Sequence, residues 1–132
     1  MKAIALIEKG KEGQFHIYSK GLKTMIIGEG NSVEEAKADF ENTLQEIIST
    51  FPTEKIPKEL QNLSFEYHFD VGALFNYYDF INMSKLAKRI GISDSLMRRY
   101  KIGEYISQTQ LQKIEDALHT IGKDFSEIKL FV

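Results

Sequence analysis

The first half of the chain alternates between short stretches with strand periodicity and one long stretch with helix periodicity. Three short segments, separated by turn-forming clusters, are apolar or alternate between apolar and polar positions: residues 2–8, 14–18 and 24–29. Each is predicted to be a strand. A fourth strand is predicted over residues 63–69, where Leu63, Phe65, Tyr67 and Phe69 occupy every second position.

A helix is predicted between the third and fourth strands. Ser32 is a favourable N-cap, and Glu35, three residues later, completes a capping box. The apolar positions that follow share one helical face: Val33, Ala36, Phe40, Leu44, Ile47, Ile48 and Phe51. Pro52 is expected to end the helix. The order β-β-β-α-β predicts an antiparallel sheet with a helix lying across one face.

The second half is organised around residues 82–103, where the apolar spacing changes to two short helices. Leu86, Ala87 and Ile90 form the inward face of the first helix, with Asn82 as its N-cap. Gly91 stands where a left-handed residue ends a helix, and Ser93 is a second N-cap. Met97 and Tyr100 would face inward from the second helix. This is the helix-turn-helix pattern, whose second helix enters the DNA major groove.

Further helices are predicted on both sides of this pair, over residues 74–81, from Ser107 to Gly122, and over residues 124–131. The aromatic residues of the first of these are expected to lie in the core. The chain is thus predicted to be α+β, with an α/β domain at residues 1–70 followed by an all-α DNA-binding domain at residues 71–132.

Eight side chains on the outer side of the helix pair are predicted to contact operator DNA: Ser84, Lys85, Ser93, Asp94, Ser95, Arg98, Arg99 and Lys101. Arg98 and Arg99 are the candidates for base edges, because bidentate Arg–guanine pairing is the commonest specific contact. Lys85, Lys88, Arg89 and Lys101 are candidates for phosphate contacts or for plain solvated charge. The alternative is a helical module used only for packing or protein contacts.

The distribution of charge changes this picture, because the formal net charge of −2 does not indicate a DNA-binding protein. Residues 1–70 contain 8 Lys or Arg and 12 Asp or Glu, whereas residues 71–101 contain 6 and 2. The predicted helix pair thus has a local net charge of +4. Screening limits charge interactions to about 10 Å at 0.1 M salt, so a local basic patch can attract phosphates. The acidic first domain suggests a basic partner.

The residue types give little support for a catalytic site or a metal site. The chain has no Cys, and His16, His68 and His119 do not have metal-ligand spacing. A nuclease of RNase H type needs converging carboxylates, including one on the first strand, and that strand offers only Glu8 at its end. We therefore predict no catalytic residue, no metal site, no cofactor and no enzymatic activity. The lack of a long apolar run or signal peptide predicts a cytoplasmic protein without membrane contact.

Two segments resemble known families. With the β-β-β-α-β order, the segment Gly28–Ala36, GEGNSVEEA, resembles the N-terminal domain of HicB-family antitoxins. The helix pair resembles the Cro/CI or XRE type through Leu86-Ala87, Gly91-Ile92-Ser93, Tyr100 and Gly103. The chain differs from these families at residues 19–23, where a Pro-rich turn is usual, and at Met83, where a phosphate-contacting Gln is frequent.

The resemblance implies a partial RNase H-like domain followed by a DNA-binding domain. It also implies a function: residues 1–70 would mask a small basic, HicA-like, mRNA-cleaving toxin, and the second domain would repress the promoter of the pair. Repressors of this type pair on DNA, so a homodimer or a dimer of dimers is expected. The alternative is a stand-alone repressor whose first domain only oligomerises or senses a ligand.

Overall fold

The computed structural model describes residues 1–132 and is a mixed α+β structure of two compact units, Met1–Asp79 and Phe80–Val132. The first unit contains the strands β1 (Lys2–Lys9), β2 (Phe15–Lys20), β3 (Ile27–Gly30) and β4 (Ser64–Phe69), and the helices α1 (Val33–Ser49) and α2 (Val71–Tyr77). Two single 3-10 turns, Thr53–Lys55 and Lys58–Leu60, lie between α1 and β4. The second unit contains α3 (Met83–Ile90), α4 (Asp94–Lys101) and α5 (Gln108–Glu127).

The four strands form one sheet in the order β3-β2-β1-β4. β2 is antiparallel to both β1 and β3, but β4 runs parallel to β1, with Lys2 opposite Ser64 and Ile7 opposite Phe69. The prediction of a wholly antiparallel sheet was therefore wrong. Between β3 and β4 the chain passes through α1 instead of a hairpin, and a helical crossover can return the chain in either direction.

One face of the sheet is covered by α1 and forms the core of the first unit. Alternate residues of β1 and β2 contact the helix, and Ala5, Ile7 and Ile17 are fully buried there beside Phe40 of α1. On the opposite face, Ile4 and Ile27 remain 41% and 53% exposed. The face of the sheet that α1 covers is thus buried, whereas the opposite face remains partly exposed to solvent.

The start of α1 is capped as predicted, and its approach to β3 depends on glycine. The Ser32 hydroxyl accepts a hydrogen bond from the Glu35 N–H at 3.0 Å, while the Glu35 carboxylate accepts one from the Asn31 N–H at 2.8 Å. A Cβ atom placed on Gly28 would lie 2.5 Å from the Phe40 backbone nitrogen. Any side chain there would force the helix away from the strand.

Helix α2 lies in the first compact unit, Met1–Asp79, although it follows the domain boundary that the sequence predicts at residue 70. Asp70 caps α2 by accepting a 2.7 Å hydrogen bond from the Ala73 N–H. Tyr77 stacks on Phe69 of β4, with ring centroids 5.8 Å apart, and Asn76 accepts a hydrogen bond from Lys9 Nζ at 2.9 Å. These contacts hold the helix to the sheet that precedes it.

The end of the chain differs from its prediction in one respect. Instead of stopping at Gly122, α5 continues to Glu127, and no separate helix follows. Gly122 is exposed, and a Cβ atom there would meet nothing within 4 Å. A glycine in a helix interior lowers stability by about 1 kcal/mol but does not by itself end the helix. None of the helices is both long and apolar enough to cross a membrane.

Candidate nucleic-acid interface

Helix α3 forms as its sequence predicts, because both of its ends carry local signals. The Asn82 side-chain oxygen accepts a hydrogen bond from the Lys85 N–H at 3.0 Å, which satisfies one free donor of the first turn. At the other end Gly91 adopts φ +78°, a left-handed conformation that glycine tolerates without steric strain. The chain leaves the helix there and turns into α4.

Helix α4 is capped at Ser93, whose hydroxyl accepts a hydrogen bond from the Leu96 N–H at 3.2 Å. Met97 and Tyr100 on its inner side are buried, and Ile92 in the turn is only 4% exposed. Ala87 of α3 is fully buried. A small residue at this position lets the two helices approach closely, so the position of α4 is set by apolar packing on one side.

The outer side of the pair carries all eight side chains predicted to contact DNA, and each of these residues is exposed. Five of them lie within residues 93–99, on α4 or at its cap: Ser93, Asp94, Ser95, Arg98 and Arg99. Lys101 ends α4, whereas Ser84 and Lys85 lie in the first turn of α3. No ion pair or side-chain hydrogen bond links these last two residues to the exposed side chains of α4.

The two arginines of α4 are held differently. Arg98 Nη1 lies 3.6 Å from Asp94 Oδ2, one turn earlier on the same helix. The two groups form an ion pair, but the distance between them is too long for a hydrogen bond. Arg99 Nε donates a 2.7 Å hydrogen bond to Glu104 Oε2. That hydrogen bond, followed by the carboxylate charge, raises the pKa of the Arg99 guanidinium above its ordinary value.

Glu104 was not among the predicted site residues, although a sequence signal for it exists. Gly103 has φ +99°, the Gly103 N–H donates to the Tyr100 carbonyl, and the Glu104 N–H donates to the Arg99 carbonyl, both at 3.1 Å. This is the Schellman motif. In it the side chain of the third-last helical residue, here Arg99, lies beside that of the residue after the glycine, here Glu104. A charged residue directly after Gly103 was therefore the available signal.

The units differ in charge as well as in fold. Residues 80–132 contain 9 Lys or Arg and 6 Asp or Glu, a net of +3, whereas residues 1–79 contain 8 and 13, a net of −5. The outer surface of α4 thus belongs to the basic unit. Attraction between such a surface and phosphate groups weakens as salt is added.

The acidic residues of α1 are occupied by local hydrogen bonds. Each of the five accepts one from a neighbour in the same unit, as follows: Glu34 from Tyr77, Glu35 from Asn31, Asp39 from Glu29, Glu41 from Tyr67 and Glu46 from Asn42. The bond from the Tyr77 hydroxyl lowers the pKa of the Glu34 carboxyl. No three His, Asp or Glu side chains converge in a way that would hold a metal ion.

The chain matches no family model, and no curated protein or solved structure is significantly similar to it.

Proposed function

We propose that the chain is a sequence-specific DNA-binding regulator of the antitoxin kind, in which α4 enters the major groove. The observation that carries this proposal is the two-sided character of α4. Met97 and Tyr100 anchor its inner side, while Arg98 and Arg99 are 68% and 61% exposed in their side chains on the outer side. An α-helix fits the major groove, and a helix fixed on one side can present the other side to base edges.

Within this proposal the exposed residues divide into two roles. Arg98 and Arg99 meet base edges. Ser93, Asp94 and Ser95 lie at the N-terminal end of α4, the end that contacts the bases in this mode of docking. Ser84, Lys85 and Lys101 flank the helix and contact phosphates. Phosphate contacts position the protein and base contacts specify the sequence, so changes in the two groups have different effects.

A homodimer or a dimer of dimers follows from the same mode of binding. A single short helix offers a small interface with DNA, and paired modules place two helices about 34 Å apart along the duplex. Sedimentation of the protein at micromolar concentration, with and without its DNA site, tests this. A monomer of 15.2 kDa under both conditions would exclude the paired arrangement.

The DNA test begins with selection of duplexes from a random library, because it requires no known operator. The R98A/R99A variant should then lose at least about 30-fold in affinity for the selected site, since it removes two base contacts of roughly 1–3 kcal/mol each. The control K113A/K123A removes the same charge from exposed positions of α5 and should lose only a small, sequence-independent part. If wild type selects no sequence, the proposal is wrong.

For the first unit we propose that it binds and masks a small basic toxin that cleaves mRNA. The support is the segment Gly28–Ala36, which resembles the HicB type, and the net charge of −5, which favours encounter with a basic protein. Charge alone does not separate this from the alternative, a repressor whose first unit oligomerises or senses a ligand. The local hydrogen bonds of α1 account for its carboxylates without a partner.

The full-length R98A/R99A variant separates the two alternatives. The variant is expressed from an unrelated promoter in cells that carry any small reading frame found beside its gene under the native promoter. Rescue of growth, together with a salt-sensitive complex of the two proteins, indicates direct masking. Rescue by wild type alone, with no complex, indicates that protection depends on repression and that the first unit is not the inhibitor.

A further inference from the structure

The two arginines of α4 differ in which edge of the guanidinium remains available. A guanidinium carries five N–H groups in a planar fork. Arg98 meets Asp94 through Nη1, one of its two terminal nitrogens. Arg99 meets Glu104 through Nε, the nitrogen nearest the helix, at 2.7 Å. The paired terminal nitrogens of Arg99 therefore remain available for an external pair of acceptors.

This difference matters for guanine, which presents two acceptors, N7 and O6, side by side in the major groove. A guanidinium that meets both at once needs two parallel N–H bonds from one edge. Arg99 offers its terminal edge while Nε is already held. Arg98 keeps the edge formed by Nε and Nη2, but no hydrogen bond fixes the orientation of its guanidinium, since its contact with Asp94 is 3.6 Å long.

The backbone places Glu104 beside Arg99 independently of their side chains. Gly103 at φ +99° and the hydrogen bond from the Glu104 N–H to the Arg99 carbonyl, at 3.1 Å, bring the two residues together. At these positions of a Schellman motif an apolar contact is usual. Here a charged hydrogen bond replaces it, on an exposed surface where Arg99 would otherwise sample many rotamers.

We propose that Glu104 positions Arg99 for a bidentate contact with one guanine, so that Arg99 specifies its base more strictly than Arg98 does. This inference rests on the proposed DNA-binding function and deepens it by naming the base and the residue that orients its partner. Glu104 itself is a positioning residue. Its negative charge opposes binding to the polyanionic duplex whatever the sequence, so only discrimination among sequences reports its role.

The experiment measures discrimination one base pair at a time. The duplex selected by the wild-type protein is resynthesised with each base pair replaced in turn, and dissociation constants are measured for full-length protein. R99A should abolish discrimination at one G·C pair, where the wild type discriminates about 5- to 150-fold. E104A should lower discrimination at that same pair about two- to fivefold, the range expected of an exposed ion pair, and leave the other pairs unchanged.

Three further variants exclude a merely structural role. E115A removes an exposed glutamate of α5 that makes no hydrogen bond or ion pair, and it should leave discrimination unchanged. E104Q keeps an acceptor oxygen and should restore most of the discrimination that E104A loses. R99A/E104A should discriminate like R99A alone, because the effect of Glu104 passes through Arg99.

A measurement without DNA tests the orientation directly. In the free protein the Nε–H signal of Arg99 should be observable by NMR with the shift of a hydrogen-bonded group, and E104A should move it to the position of a solvated arginine. The positioning role is refuted if E104A discriminates like the wild type, or if it discriminates better. It is also refuted if R98A, and not R99A, abolishes discrimination at the base pair that E104A affects. Failure of the wild type to select any sequence would refute the DNA-binding proposal and this inference together.

Discussion

Replacing Gly28 with alanine tests whether the approach of α1 to β3 limits the stability of the first unit. The new Cβ would lie 2.5 Å from the Phe40 nitrogen and 2.6 Å from the Phe40 Cα and Cβ, distances at which the helix must move. Phe40 is fully buried, and its ring centroid lies 4.7 Å from that of Phe65. A shift of the helix therefore disturbs the centre of the core.

The size of the effect follows from two opposing contributions. Overpacking of a core lowers stability by about 1–3 kcal/mol. Replacing glycine also restricts the unfolded chain, which stabilises the folded state by about 0.4–1 kcal/mol. We expect a net loss of about 1–2 kcal/mol. For a unit of this size the melting temperature should fall by roughly 4–16 °C.

The matched control is the same substitution at Gly122, which is exposed within α5 and has nothing within 4 Å of its missing Cβ. G122A should stabilise the second unit by up to about 1 kcal/mol, because alanine favours the helix. Unfolding is followed by circular dichroism and by amide NMR signals of β1 and α5, which report the two units separately. A G28A protein that melts at or above the wild-type temperature would refute the packing argument.

Three other changes test separate parts of the structure. A87L should destabilise the second unit by about 1–3 kcal/mol in urea unfolding, because the residue is fully buried and the larger side chain separates α3 from α4; equal stability would contradict the close packing. Burial and the hydrogen bond to Glu8 raise the pKa of Tyr18 to about 12; its stabilising contribution is present below pH 10 and lost as pH rises through 12. In Y18F the stability should vary less over that range, and an unchanged profile would exclude Tyr18 as its source. Hydrogen bonds from the Lys23 N–H and from Thr24 lower the pKa of Glu59. The difference in unfolding free energy between wild type and E59Q should be full above pH 4.5 and shrink as pH falls through the lowered pKa. A difference that is independent of pH would show that the carboxylate is not responsible.

Features that depend on neighbouring residues could be predicted from the sequence. The caps Ser32, Asn82 and Ser93 each act on a backbone N–H three residues later, and Gly91 adopts the left-handed conformation expected of it. Each of these needs only the local chain, since a cap is a contact within one helical turn. The same locality explains why the buried and exposed sides of α4 follow from apolar spacing.

Features that depend on distant residues were predicted less well. The direction of β4 is set by its pairing with β1, and a strand pattern contains no information on whether that pairing is parallel. The sequence predicts that the aromatic residues near α2 cover the helix pair that follows them. In the structure Tyr77 instead stacks on Phe69 of the sheet.

In the candidate interface, too, some features could be predicted from the sequence and one could not. Periodicity was sufficient to place the eight predicted side chains on the surface, because exposure on a short helix follows from its spacing. It could not distinguish Arg98 from Arg99, which are adjacent and chemically identical. The distinction comes from Glu104, which lies beyond the helix and meets Arg99 only because Gly103 reverses the chain.

The central place of β1 has a consequence for the order in which the chain folds during synthesis. β1 can pair early with β2, since the two are joined by a short turn. Its other edge stays open until Ser64–Phe69 has left the ribosome, because Lys2 pairs with Ser64. Pairing between distant segments is slow, whereas the helices α3, α4 and α5 need only local contacts. A nascent chain paused before β4 thus exposes unpaired backbone groups of β1, and that interval is when it is most prone to aggregate.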